Sequence, residues 1–182
     1  MISHIRRMLF HSSIRGVLCG SSAFRMKQMT LFLSTYVNKI DKKGRVSVPA
    51  SFRNALSGDA FNGIIAFRSY KLPAIEGLSM QRMKVISDSV DTLDLFSEDQ
   101  DDFASTIFAD AHQLNFDSDG RIILPEDLKT HAHLDDSVAF VGRGTTFQLW
   151  NPDAFAKHQQ TARQRVHDKR ATIKLKTDES KA

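Results

Sequence analysis

The chain has 182 residues, of which 41% are hydrophobic, and this length suits one or two small domains with packed cores. No apolar run is long enough for a membrane-spanning helix, and the single cysteine, Cys19, excludes a disulfide framework and a cysteine metal cluster. The net charge of +4 comes from residues 1–30, which hold five basic residues and no acid, so any nucleic-acid surface on the rest of the chain would require local placement of charge.

Residues 1–29 are predicted to be a disordered leader. They are rich in Ser and have no helical period, a composition also typical of a mitochondrial transit peptide, but they lack the unbroken apolar region of a secretory signal. Met26 and Met29 stand just before the first predicted strand. We therefore favour a start assigned too early over a targeting function.

The first folded unit centres on a tight turn predicted over Asp41–Gly44. Asp opens and Gly closes this four-residue sequence, as type I turns prefer, and the Asp carboxylate can accept hydrogen bonds from the turn's own amides. A strand over Tyr36–Ile40 precedes the turn, and a strand over Arg45–Val48 follows it. Because side chains alternate along a strand, Arg45 is predicted to lie away from the core.

A short helix is predicted over Pro49–Leu56, since Pro suits the first turn of a helix. Phe52 lies on its buried face, and Arg53 points outward. The apolar run Ile64–Phe67 is short enough for a buried strand. Pro73 argues against a central strand in the stretch that follows, so we expect an irregular edge there.

Two helices are predicted to link this unit to the next. Apolar residues at helical spacing predict the first over Ser79–Val90. The sequence Ser97–Gln100 has the form of a capping box that opens the second. Four acids at the start of the second helix are interpreted as partners of the helix dipole rather than as a metal site.

The turn, strand and helix recur 76 residues later, at Asp117–Pro125. Arg again follows the Gly directly, at Arg121, and the apolar run Ile122–Leu124 predicts a strand covered on both faces. The short helix also recurs, with Lys129 at the position of Arg53. A duplicated structural hairpin would explain the turn but would leave the repeated Arg unexplained.

The second unit continues with further predicted elements. Val138–Val141 is the counterpart of the first buried strand, and Phe147–Trp150 forms the next strand. Asn151 and Pro152 mark a strong helix start, as the cap and the first helical residue. This helix is predicted to end near Arg163, where a basic, solvated tail begins.

The two Asp-x-x-x-Arg turns, each followed by a strand-forming run and Pro, resemble the MraZ family of bacterial transcriptional regulators. The supporting stretches are Ile40–Pro49, Phe116–Pro125, Val141-Gly142 and Phe147–Trp150. The resemblance covers about residues 30–165. A single Asp-x-x-x-Arg match would be no evidence for this family. Two matches with the same flanking order are specific to it.

The resemblance implies an α+β fold: a pseudo-symmetric β-barrel built from two duplicated SpoVT-AbrB-like modules, with short helices and linker helices. After the leader, we assign residues 35–82 to module 1, 83–110 to a helical linker and 111–154 to module 2. Residues 155–182 then form the end of the last helix and the basic tail.

The resemblance also implies a function. A ring-shaped homo-oligomer would bind repeated promoter boxes in double-stranded DNA and control the cell-division and cell-wall gene cluster that includes its own gene, in the cytoplasm and in association with the nucleoid. The predicted DNA-binding residues are Asp41, Lys42, Lys43, Arg45, Arg53, Asp117, Arg121 and Lys129. The arginines that follow the glycines would make the contacts, and the aspartates would shape the turns. The second turn has Ser118 and Asp119 at the positions of Lys42 and Lys43 in the first turn. This difference weakens the electrostatic attraction of the second turn for DNA.

No catalytic constellation is predicted. The sequence lacks a P-loop, a dinucleotide fingerprint and a nucleophile elbow, and His131 and His133 have no obvious further metal ligands. We expect no enzyme activity, no cofactor, no metal, no small-molecule substrate and no membrane partner. Two alternatives to DNA binding stay open: a protein–protein interaction module of antitoxin-like type, and a structural duplicate without a DNA role.

Overall fold

The computed structural model describes residues 31–170 and 172. Its elements follow in the order β1 (Thr35–Lys39), β2 (Arg45–Ser47), α1 (Ala50–Leu56), β3 (Gly63–Arg68), β4 (Ala74–Leu78), α2 (Met80–Val90), α3 (Glu98–Phe103), π1 (Ala104–Phe108, a π-helix), β5 (His112–Asn115), β6 (Arg121–Ile123), α4 (Glu126–His131), β7 (Ser137–Gly142), β8 (Phe147–Trp150) and α5 (Pro152–Asp168). The predicted leader and the end of the predicted basic tail lie outside the described residues.

Six strands form one antiparallel sheet in the order β1-β7-β8-β4-β3-β5, while β2 and β6 form a separate two-stranded ribbon. The α+β class is therefore confirmed. The predicted closed β-barrel is wrong for the described chain, because β1 and β5 are the edges of the sheet and pair with β7 and β3 rather than with each other. Each edge strand instead leads through a tight turn into the ribbon, where a single bridge joins Ile40 to Val46.

The sheet has a pseudo-two-fold order. Equivalent strands of the two sequence units lie at equal distances from the centre of the sheet. β1 corresponds to β5, β7 to β3 and β8 to β4, and the centre of the sheet is the β4–β8 pair. Strands from the two sequence units therefore share one sheet. The division into modules at the boundaries given above stays a prediction.

One face of the sheet packs against the ribbon, α1 and α4. The main core there joins side chains of the sheet, the two helices and the ribbon, among them Ile64, Ile75, Phe140, Phe147, Leu149, Phe52, Leu128, Val46 and Ile122. Full burial of one such side chain stabilises the fold by about 1.5–3 kcal/mol. The opposite face packs against α2 and π1 at one end and against α5 at the other. The ribbon consequently has one buried side and one solvent side.

The expectation of an irregular edge after Pro73 is wrong. β4 begins at the next residue, Ala74, and lies inside the sheet between β3 and β8, with Ile75 and Leu78 buried. Proline is tolerated in sheets where its missing N–H removes no ladder hydrogen bond. Pro73 meets that condition because it precedes the first strand residue.

The prediction that β6 is covered on both faces is also wrong. Ile122 and Leu124 are 1% and 2% exposed, whereas Ile123 between them is 61% exposed. No element in the described part of the chain covers the outer side of the ribbon, so alternate residues of an entirely apolar run still face solvent.

Two helices, α3 and α5, begin at the caps that the sequence predicts, and α2 begins at a further cap, Ser79, which was predicted only as part of that helix. The side chains of Ser79, Ser97 and Asn151 each accept hydrogen bonds from amides in the first turns of α2, α3 and α5. α5 continues to Asp168, beyond its predicted end near Arg163. Within residues 31–170, no helix has both the length and the apolar composition needed to cross a bilayer.

Candidate nucleic-acid interface

The first turn forms as the sequence predicts. The Gly44 amide donates to the Asp41 carbonyl oxygen over 2.9 Å, and Gly44 has a φ of +75°, which favours glycine. Asp41 Oδ1 accepts hydrogen bonds from the Lys43 and Arg45 amides, both at 2.9 Å. The carboxylate of Asp41 therefore fixes the path of the backbone from the turn into β2.

The Arg45 side chain folds back onto the same carboxylate. Its Nε and Nη2 atoms each lie 2.7 Å from Asp41 Oδ2. The amide of Arg45, together with its guanidinium, lowers the pKa of Asp41 to about 2. Asp41 thus stays charged in neutral solution and holds the guanidinium in a fixed orientation.

The second turn repeats this geometry with one more acid. Asp117 Oδ1 accepts from the Asp119 and Arg121 amides at 2.9 and 2.8 Å, and Asp117 Oδ2 accepts from Arg121 Nε at 2.7 Å. Asp119 Oδ2 lies 2.6 Å from Arg121 Nη2. The hydrogen bonds from Arg121 lower the pKa of Asp117, and those to Asp117 raise the pKa of Arg121, with added effects of the charges of Asp117, Asp119 and Asp41.

The ribbon brings the two arginines onto one face. Arg45 lies opposite Ile123, and Ser47 lies opposite Arg121. The two arginines are therefore diagonal neighbours, with Cα atoms about 7–8 Å apart. We call the solvent side of these four residues the ribbon face.

The two helices that follow the ribbon strands cross over to the turn of the other unit. Arg53 of α1 donates from Nη1 to the Val48 carbonyl over 2.8 Å, and its Cδ would lie 2.7 Å from a Cβ placed on Gly120. Lys129 of α4 pairs with Glu126 at 2.6 Å, and its Nζ would lie 3.9 Å from a Cβ on Gly44. The expectation that Arg53 points freely outward is therefore wrong, because the side chain packs on the second turn.

The predicted site residues thus fall into two groups. Asp41, Lys42, Lys43, Arg45 and Lys129 lie at or beside the first turn, and Asp117, Arg121 and Arg53 lie at or beside the second. Lys42 and Lys43 are exposed. The sequence reasoning missed Ser47 and Ile123, although strand alternation after the repeated Arg was a signal that could have found them.

The described residues contain no group of three His, Cys, Asp or Glu side chains arranged to hold a metal ion. The ribbon face presents two carboxylate-held arginines on one solvent-facing surface.

Comparison with known proteins identifies the family. A family model described as "MraZ protein, putative antitoxin-like" matches residues 31–70 and 107–176. The transcriptional regulator MraZ of Pelagibacter ubique (strain HTCC1062) is 49% identical over 144 residues, which cover 79% of this chain and 93% of that protein. The proteins of the same name from Rickettsia bellii (strain OSU 85-389) and Rickettsia akari (strain Hartford) are 44% and 43% identical, over 80% of this chain and 98% of each relative.

The chain belongs to the MraZ family. The resemblance inferred from the paired turns is therefore confirmed, and these relatives carry the name of transcriptional regulators.

Proposed function

We propose that this protein regulates transcription by binding double-stranded DNA through the ribbon face. A two-stranded ribbon fits the major groove of B-DNA, which is about 12 Å wide. The observation that carries the proposal is the position of Arg45 and Arg121, which are diagonal neighbours on the solvent side of the ribbon and keep about a third of their side chains accessible.

The Asp–Arg pairs support direct contact with bases. Asp41 pairs with Nε and Nη2 of Arg45, whereas Arg121 pairs through Nε with Asp117 and through Nη2 with Asp119. Each Nη group carries two N–H donors, so these contacts do not use all of them. A guanidinium can use such donors to bind the O6 and N7 atoms of guanine together. Because the carboxylates already fix the side chains, less conformational entropy is lost on binding.

The first turn supports contact with phosphate. Lys42 and Lys43 are exposed beside Arg45, and Asp41 is the only acid in this turn. Basic side chains near phosphates release condensed counterions, which makes binding strongly dependent on salt. We assign phosphate contacts chiefly to this turn, because the second turn carries Asp117 and Asp119 with a single Arg.

One chain offers too few cationic side chains for tight binding to DNA. Each contact with a phosphate contributes only modestly to the binding free energy and is screened by salt. Assembly of several chains into a ring would present the ribbon face repeatedly, and neighbouring subunits could then bind repeated boxes on one duplex. Effective concentration would multiply the weak contacts. The proposal therefore includes a ring-shaped homo-oligomer.

The family resemblance supports the remaining parts of the proposal. They are two SpoVT-AbrB-like modules at residues 35–82 and 111–154, control of the cell-division and cell-wall gene cluster that includes the protein's own gene, and association with the nucleoid in the cytoplasm.

The matching family description favours one alternative, a protein–protein interaction module of antitoxin-like type. In that case the exposed Ile123 and the arginines would contact a partner protein. Binding would then show no preference for the sequence of a duplex, and this difference separates the two functions.

A shift assay tests the proposal. The full chain is titrated into a duplex taken from the DNA upstream of its own gene and into a scrambled duplex of equal length and composition, at 50 and 200 mM salt. We expect preference for the upstream duplex at both concentrations and a steep loss of affinity with salt. Equal affinity for the two duplexes would contradict sequence-specific binding.

A further inference from the structure

An exposed isoleucine, Ile123, is the one apolar residue of the four that form the ribbon face. The arginines, Arg45 and Arg121, occupy one diagonal of the face, and Ser47 and Ile123 occupy the other. Ile123 is 61% exposed, although Ile122 and Leu124 on either side are buried. A single exposed apolar residue is common on protein surfaces, but this one lies beside both arginines of the proposed DNA-binding surface, where it can make an apolar contact that the arginines cannot.

The fold itself does not require an apolar residue there. Ser47 is the counterpart of Ile123 in the other unit and faces solvent in the same way on β2. The two strands pair along their full length with Ser at one of these positions and Ile at the other. The structural role of a β-branched residue in a strand is thus insufficient to explain the exposed side chain.

We infer that Ile123 contacts the 5-methyl group of thymine in the major groove and thereby contributes to sequence specificity. The inference rests on the proposed DNA binding. The methyl group of thymine is the one apolar feature of the major-groove edge, and apolar side chains recognise it. Charged lysines and arginines can provide affinity for phosphate, but they cannot select this group.

The register of the ribbon fixes where the thymine lies. Ile123 is directly opposite Arg45, so their Cβ atoms are about 5 Å apart. Successive base pairs are stacked about 3.4 Å apart. Side chains at this separation reach the same or adjacent base pairs, so the thymine read by Ile123 lies next to the base read by Arg45.

This contact gives the ribbon a direction on DNA. The backbone of the ribbon is symmetric about the pair of Val46 and Ile122, and the two arginines are related by that symmetry. Ile123 and Ser47 break it, because one is apolar and the other is a hydroxyl. The bound sequence is therefore asymmetric, with the thymine on the side of Arg45.

Replacement of thymine by uracil tests the contact without altering base pairing. The upstream duplex is amplified with deoxyuridine triphosphate in place of thymidine triphosphate, and the Kd is measured for both forms. We expect the full chain to bind the uracil form about fourfold more weakly for each contacted methyl, the equivalent of about 0.8 kcal/mol per buried carbon. Ile123→Ser should bind both forms alike, and Ile123→Val should keep most of the preference for thymine.

Val85→Ser provides the matched control. Val85 is another exposed β-branched residue, but it lies on α2, which packs on the sheet face opposite to the ribbon. This variant should keep the thymine preference of the unaltered chain.

Three results would overturn the inference. The first is an unchanged thymine preference in Ile123→Ser, and the second is a changed oligomeric state of that variant, which would make Ile123 a subunit contact. The third is specific binding of the upstream duplex with equal affinity for its thymine and uracil forms. If the unaltered chain showed no preference for the upstream duplex over the scrambled one, the proposed function would be overturned together with this inference. The failure of the proposed function is therefore distinguishable from the failure of the thymine contact alone.

Discussion

Val46 and Ile122 lie directly opposite each other across the β2–β6 ribbon, although they occupy the same position in two copies of one sequence pattern. Two backbone hydrogen bonds repeat this relationship, from the Leu124 amide to the Gly44 carbonyl at 2.9 Å and from the Val48 amide to the Gly120 carbonyl at 3.1 Å. The copies are thus joined by a local two-fold arrangement. A single copy could not present two carboxylate-held arginines as neighbours on one face.

Gly120 is predicted to tolerate alanine poorly. Its φ is +72°, and an added Cβ would lie 2.7 Å from the Cδ and Nε atoms of Arg53. We expect Gly120→Ala to lower the free energy of unfolding by about 1–2 kcal/mol, measured by urea denaturation. Part of that loss should disappear in an Arg53→Ala background, because the crowded side chain is then absent.

Gly58→Ala is the control for this prediction. An added Cβ at Gly58 would meet no described atom within 4 Å, and the φ of Gly58 lies outside the left-handed region. Its effect should stay within about 0.5 kcal/mol. Equal effects of alanine at Gly58 and Gly120 would show that the second turn does not need glycine.

Acid is predicted to weaken the first turn over a defined range. Folding holds the pKa of Asp41 at about 2, below its ordinary value of 3.8. Because the folded pKa is the lower one, the stabilisation is complete above about pH 4 and is lost as the pH falls towards 2. The difference in unfolding free energy between the unaltered chain and Asp41→Asn should therefore shrink between pH 4 and pH 2.

Asp88→Asn on α2 serves as the comparison, since Asp88 is an exposed acid on the other sheet face. This variant controls for the loss of one carboxylate that takes no part in either turn. A constant difference for Asp41→Asn down to pH 2 would mean that the carboxylate does not stabilise the turn.

Asp119 is predicted to restrain DNA binding by the second turn. It lies 2.6 Å from Arg121 Nη2 and adds a negative charge to the ribbon face. We expect Asp119→Ser to strengthen binding to the upstream duplex by about threefold at 50 mM salt, with a smaller gain at 200 mM. Asp88→Ser makes the same change of net charge far from the ribbon, and an equal gain there would assign the effect to total charge.

Assembly is predicted to be part of the binding mechanism. The purified protein should scatter light as a species well above its monomer mass of 20.5 kDa. A strictly monomeric protein at micromolar concentration would remove the avidity on which the proposed affinity depends.

The local chemistry of both turns was predictable from the sequence. An Asp and a Gly three residues apart determine the hydrogen bonds of such a turn almost completely, because both partners lie within the same few residues. The buried strands and the caps of α3 and α5 were likewise predictable from short patterns.

The errors arose where distant residues decide the outcome. Pro73 suggested a break in the sheet. β4 begins directly after it, however, and is an inner strand because it pairs with β3 on one side and with β8 on the other. Ile123 is exposed because no element in the described part of the chain packs on the outer side of the ribbon. A run of apolar residues in the sequence does not show whether such a covering element exists. Arg53 packs against Gly120, which is 67 residues away, so its direction depended on the pairing of the two copies.

The most direct test of the account compares Arg45→Ala, Arg121→Ala and the double variant for binding to the upstream duplex and for melting temperature. Arg45 faces solvent on the ribbon, so its loss should shift the melting temperature by no more than about 2 °C while weakening specific binding by at least about fivefold. Arg121→Ala should act in the same direction but less, and the double variant should lose the preference over scrambled DNA. Folded double variants that keep this preference, or unfolding of Arg45→Ala, would contradict DNA recognition by the ribbon face.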